Sequence, residues 1–167
     1  MLVTPDWVRL MARYNLWQNS GLIDMVPTLP PEELVRDRGA FWGGILGTLS
    51  HLLWGDRVWL SRLAGSPKPD LPLGESGRLV TDGAAWASGR AETDRVLTDW
   101  AQSVTSSHLE GEYSWDSPAA GRRVSRPRSL IVTHLFNHQT HHRGQVHAML
   151  TAAGLRPPAT DLPFMPD

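Results

Sequence analysis

His134–Ala148 reads HLFNHQTHHRGQVHA, and five of the chain's seven histidines fall inside it. No proline interrupts it, and Ile131, Leu135, Val146, Met149 and Leu150 recur at helical spacing. At ~100° per residue, with His138 set at zero, Ile131 and Met149 fall at about +20°, His142 at about +40°, Leu135 at about +60° and Val146 at about +80°. His138 and His142 therefore lie inside the apolar sector, one turn apart. His134 and His141 fall on its flank, and His147 points to the opposite side. Two imidazoles driven into an interior need partners, because neutral rings need hydrogen bonds and charged rings repel. A divalent ion answers both needs, since i and i+4 side chains share a face within reach of one ion. The spacing is that of the histidine pair in H-E-x-x-H zinc sites, although the glutamate is absent here. It also fits a solvated or hydrogen-bonded histidine-rich face, which is the expectation for His141 and His147.

A chain of 167 residues suits one domain, 1–167, with a core of useful size. The formal net charge of −1 gives no electrostatic case for nucleic acid or an anionic membrane. Cysteine is absent, which excludes disulfides, a catalytic thiol and a thiolate metal site. His, Asp and Glu remain as strong ligands. The start, MLVTPDWVRL, has no signal-peptide pattern, and no run of ~18 apolar residues could span a membrane. The expectation is a soluble cytoplasmic protein. Eight tryptophans should serve mostly as core and helix-contact residues, with a minority lining a cavity.

Working back to the start, Thr4-Pro5 opens a first helix, which Pro27 and Pro30-Pro31 end. Trp7, Met11, Tyr14, Gln18, Leu22 and Met25 form its stripe. Glu32–Leu34 adds a short turn. A second helix runs from about Phe41 to Ala64, with Trp42, Ile45, Leu49, Leu52, Leu53, Leu60 and Leu63 on its main face. His51 lies roughly 145° from the centre of that face, which counts against a core ligand if only one side is buried. Yet Gly47, His51 and Gly55 form a stripe, and helix interiors avoid glycine at ~1 kcal/mol each. The stripe implies close approach or space on a second buried side, with His51 in the notch. Asp56 falls within the apolar face, where a lone carboxylate is costly, so it needs an arginine, an indole N–H, a backbone cap or a histidine. Structural pairing is the expectation for it.

The glycine- and proline-rich Gly65–Gly77 is a long connection. Thr81 or Asp82 caps a third helix to about Ser106, with Arg90 expected to snorkel at an edge. Alternation across His108–Arg126 reads as a small two-stranded excursion. Pro127 starts the fourth helix, Gly154 caps it near Ala153, and the tail Ala159–Asp167 drapes over the surface. The fold class is thus all-α: a four-helix bundle with a hairpin-like excursion between helices three and four. Such bundles build metal sites from side chains on facing helices.

Three segments carry a resemblance over nearly the whole chain: YNLWQNSGLIDMV (Tyr14–Val26), GILGTLSHLLWGDRVWL (Gly44–Leu60) and HLFNHQTHHRGQVHAMLTAAGLRPPATDLP (His134–Pro163), the last with an H-x-x-x-H-R-G-Q core. The chain resembles the DinB family, the DinB/YfiT-like candidate metalloenzymes named for a damage-inducible, stress-associated bacterial protein. The resemblance implies a divalent metal held by one histidine of helix two and two of helix four, here His51, His138 and His142. His134 and His141 are extra to that pattern. Three neutral nitrogens leave coordination positions open, as catalytic sites do, and imidazole suits zinc, nickel or iron(II). Characterised relatives include transferases and isomerases that use bacillithiol or mycothiol. The implied activity is a thiol-dependent transfer with a low-molecular-weight thiol as cosubstrate. A metal-dependent hydrolase and a non-catalytic stress-associated metal-binding protein are the alternatives. Asp56 and His141 are candidate general bases, and Arg143 either meets a ligand carboxylate or forms a surface salt bridge. A homodimer is a further expectation from the resemblance and the tryptophans of the first two helices.

Overall fold

Thr4 accepts a hydrogen bond from the Trp7 N–H at 3.2 Å, with Pro5 in the first turn, so the first helix starts where its local chemistry places it. The structure, a computed structural model, describes residues 3–166. Its elements are α1 (Pro5–Met25), α2 (Pro31–Val35), α3 (Ile45–Leu63), α4 (Gly83–Ser103), α5 (Ser106–Leu109), β1 (Glu112–Ser117), β2 (Arg122–Pro127) and α6 (Arg128–Ala152), with short 3-10 turns at Val26–Thr28, Leu73–Arg78 and Leu162–Phe164. The protein is mostly helical with one small antiparallel sheet. Among the described residues no helix is long and apolar enough to cross a membrane.

The four long helices pack in a ring of neighbours: α1 on α4, α4 on α3, α3 on α6, and α6 back on α1. Two apolar layers fill the space between them. One gathers Leu22, Leu49, Leu53, Trp86, Val146 and Leu150, and the other Val8, Ala12, Leu60, Leu97, Leu135 and Phe136. Between the layers in sequence, every long helix contributes buried polar groups: Asn15 and Asn19, Asp56, Arg90 and Asp94, Gln139 and Arg143. Arg90 Nη1 donates to Asp56 Oδ2 at 2.6 Å, and its Nη2 lies 2.8 Å from Asp94 Oδ1. Gln139 donates to Asp56, and Arg143 donates to Asn15 and, at 3.0 Å, to Gln139 Oε1. Asn15 and Asn19 donate to Asp94 at 3.2 Å and 2.9 Å. Two amides thus connect Arg143 to the two carboxylates. Taking such ions out of water costs several kcal/mol each, and these pairings offset it only in part, since Asp56 Oδ1, Asn19 Oδ1 and Arg90 Nε find no hydrogen-bond partner.

This layer settles two expectations. Asp56 has the arginine partner that its burial required. Arg90 does not snorkel at an edge; it is 1% exposed and pairs with both carboxylates. Burial alone would lower its pKa, but Asp94 and Asp56 outweigh that and raise it.

Element boundaries shift for local reasons. α3 begins at Ile45, not Phe41, because Gly43 takes a positive φ of 79° in a turn that pairs Ala40 with Gly43. Phe41 is consequently 83% exposed, and Trp42 leaves the helix face assigned to it. Asp82, rather than Thr81, caps α4 by accepting from the Ala85 N–H at 2.8 Å. α4 stops at Ser103, where Val104 turns extended, and Thr105 opens the short α5. The excursion is a true hairpin, with Tyr113 opposite Arg126 and Trp115 opposite Val124. Pro127 closes β2 and precedes α6 as its N-cap. The tail lies along α1, where Tyr14 and Gln18 donate to the carbonyls of Thr160 and Ala159. Asp167 lies outside the described residues.

Candidate metal centre

His51 lies on α3, and His138 and His142 lie one turn apart on α6, the helix packed against it. Each of the three offers one ring nitrogen, and these atoms all lie within 4.8 Å of one another. His51 Nε2 and His138 Nε2 are 3.1 Å apart. His51 and His142 are buried, and His138 is half-buried. His134 and His141 are exposed beside them, with ring centroids 5.5 Å from His138 and 4.8 Å from His142.

The notch for His51 exists because α3 is buried on two sides. Trp42 stacks on the His51 ring at 4.2 Å with 19° between planes, and Trp54 lies at 6.1 Å, also stacked. The glycine stripe has distinct causes along its length. A Cβ on Gly47 would strike the Trp42 carbonyl, and one on Gly55 would stand 2.9 Å from His138 Cε1. Gly55 therefore makes room for the ring that faces His51.

The hydrogen bonds behind the rings set their tautomers. Ser76 Oγ lies 2.8 Å from His51 Nδ1 and donates its own proton to the Leu73 carbonyl at 2.7 Å. With that proton engaged, Ser76 accepts, so His51 carries hydrogen on Nδ1 and presents a bare Nε2. His142 Nδ1 faces Gln145 Oε1 at 2.7 Å, which equally leaves its Nε2 bare if the amide oxygen accepts. The 3.1 Å contact is then a hydrogen bond only if His138 carries its proton on Nε2. His138 Nδ1 is, consistently, buried with no partner.

Burial, aided by His142, pushes the His51 pKa down to about 4. Burial and the neighbouring histidines push His138 down to about 3. His142 is also lowered, first by burial, with Gln145 opposing. All three are neutral near pH 7, the state in which imidazole binds a metal. The inward lone pairs of His51 and His142, with their outer nitrogens held by Ser76 and Gln145, and a nitrogen-only donor set that His138 completes once its ring presents a bare nitrogen, fit a divalent transition metal. Two nitrogens at ~2.05 Å from one tetrahedral ion lie about 3.3 Å apart, close to the His51–His138 spacing.

Other candidates fall elsewhere. Asp56 is wholly buried and engaged by Arg90 and Gln139, so it is closed to a substrate and cannot serve as a general base. Arg143 points inward, is 4% exposed and donates to Asn15 and Gln139 rather than to a surface carboxylate. Burial lowers its pKa to about 10. A cleft of about 430 Å³ lined by Leu63, Trp100, His108 and Arg128 involves none of the three histidines. Sequence reasoning missed Ser76, which sits 25 residues from His51 in a stretch that reads as loop. It also missed Gln145, which the i,i+3 rule could have found from His142.

The chain is similar to known proteins over most of its length. Protein DinB of Bacillus subtilis (strain 168) is 25% identical over 162 residues, covering 93% of this chain and 91% of that protein. The fold is similar to that of a DinB-like protein from Bacillus cereus ATCC 10987, with a TM-score of 0.63, 22% sequence identity and coverage of 86% of this chain and 91% of the other. The sequence profile of the DinB family matches residues 1–167. The chain belongs to the DinB family.

Proposed function

We propose that this protein is a metal-dependent enzyme of one domain, a four-helix bundle in which His51, His138 and His142 hold a divalent zinc, nickel or iron(II) ion and a small thiol is the cosubstrate. The observation that carries the reading is the facing of His51 Nε2 and His138 Nε2 at 3.1 Å, with Ser76 holding His51 from behind. An ion bound there would lower the pKa of a thiol or water that it meets. The protein's own residues orient and shield. Trp42 and Trp54 both lie nearly parallel to the His51 ring and restrict water beside it. Exposed His134 and His141 flank the side open to a ligand. In the proposed transfer, sulfur forms a bond to an electrophilic carbon, the leaving group departs with its electron pair, and the thiol proton passes to solvent. The chain supplies no cysteine, so the thiol comes from outside.

The hydrolase alternative is weaker, since Asp56 is closed off and only exposed His141 remains as a base. A non-catalytic reading, in which the metal only staples α3 to α6, draws on the separate location of the cleft lined by Leu63, Trp100, His108 and Arg128. The test is a thiol-by-electrophile screen of metal-loaded protein, read by thiol consumption. Turnover that disappears in His138→Ala supports the transferase. Thiol binding to the metal without turnover of any electrophile supports the staple. For assembly, we propose a homodimer in which half-exposed Leu10 and Leu16 of α1 become covered.

A further inference from the structure

Arg62 lies three turns along α3 from His51, at the end of an aromatic path that begins at the histidines. His138 is followed by His134 at 5.5 Å, then Trp59 at 5.4 Å, then Trp115 at 5.6 Å, all between ring centroids. The Arg62 guanidinium sits over both indoles, 4.5 Å from the Trp59 centroid and 5.1 Å from that of Trp115. Among the described residues it has no carboxylate within ion-pair distance. The hairpin carries acids, but they are engaged elsewhere. Strand alternation turns Tyr113 and Trp115 one way and Glu112 and Asp116 the other, where Glu112 accepts from Ser125 and Asp116 faces Arg123.

We propose that Arg62, framed by Trp59 and Trp115, binds the carboxylate at the far end of the small molecule whose other end meets the three histidines. This rests on the metal-centre reading for the near end only. Stacking on two indoles orients the guanidinium and leaves its edge N–H groups for a planar two-oxygen acceptor. One guanidinium matches one carboxylate, and the neighbouring cation, Arg128, stands over Tyr113 instead. Trp59 and Arg62 lie about 12 Å and about 16 Å from His51 along the helix axis, so the ligand is elongated, with an apolar middle that covers Trp59.

The test uses 11-mercaptoundecanoate and 11-mercaptoundecanol, a pair that differs only in the terminal carboxylate. Calorimetric titration of metal-free protein should show the acid binding at least about tenfold tighter than the alcohol. Arg62→Met keeps the apolar stem and should erase that preference, whereas Arg62→Lys should keep part of it and His138→Ala should leave it intact. On cobalt-loaded wild type the acid should also produce a sulfur-to-metal charge-transfer band. Equal binding of acid and alcohol, or a preference that survives Arg62→Met, would overturn the proposal while leaving the metal centre untouched. A preserved preference with no charge-transfer band would overturn the link between Arg62 and the centre.

Discussion

Ser76 accepts a hydrogen bond from His51 Nδ1 across 2.8 Å while donating its own proton to Leu73, so a residue of the α3–α4 connection decides which nitrogen of His51 faces His138. The connection that looks like punctuation in the sequence is part of the site. Trp54 also ties it down, donating its indole N–H to the Leu71 carbonyl at 2.7 Å.

The first expectation follows from that contact. Ser76→Ala should weaken zinc binding roughly 10–100-fold, the usual effect of losing a group that orients a ligand histidine. Ser76→Thr should restore most of it. Competition with a chromophoric chelator reads the affinity. Unchanged affinity in Ser76→Ala would mean that the hydroxyl does not set the tautomer.

Gly55→Ala separates stability from binding. Alanine gains ~1 kcal/mol of helix propensity, while its methyl forces the His138 ring to move. Because that ring is half-buried and can swing outward, the melting temperature should change little. Metal uptake should fall sharply. A variant that binds metal like wild type would contradict the packing described here.

The buried polar layer has the opposite profile. Asp56→Ala leaves Arg90 with one carboxylate instead of two and Gln139 without its acceptor. Breaking a buried pair in this way costs about 3–5 kcal/mol. For a chain of this size that lowers the melting temperature by roughly 6–20 °C. Calorimetry checks it, and a loss below about 1 kcal/mol would show that the layer relaxes or takes in water.

Much of this was legible from particular residues. The wheel put His138 and His142 on an apolar face, and both meet His51. The glycine stripe foretold a second buried side of α3. What stayed hidden was polar burial: in the sequence Arg90 reads as snorkelling at an edge, Arg143 as meeting a ligand carboxylate or forming a surface salt bridge, and nothing marks Asn15 or Asn19, because periodicity sees apolar side chains and not the partners that let a polar one go inside. Phe41 and Trp42 look helical for the same reason, although Gly43 breaks the backbone after them. Ser76 carries no local signal, since its role depends on a contact between distant parts of the chain.

Acid should destabilise the metal-free protein. Folded His51 and His138 have pKa values of about 4 and about 3, below the ordinary 6.5, so the unfolded chain binds more protons between those limits. Their contribution is fully present above about pH 6.5 and is lost as the pH falls toward about 4 and below. Denaturant midpoints at about pH 7.5 and about pH 5 should differ, with the lower value in acid. Replacing both histidines by alanine should shrink that difference, with His142 keeping part of it; an unchanged difference would assign it to other groups.

Elemental analysis of the purified, untagged protein beside His138→Ala decides whether the three histidines hold a metal. About one transition-metal ion per wild-type chain is expected, lost in the variant, with circular dichroism showing the helices intact in both. Wild-type protein that holds no metal, even after reconstitution with zinc, nickel and iron(II), would contradict the three-histidine centre and leave a helical binding protein in its place.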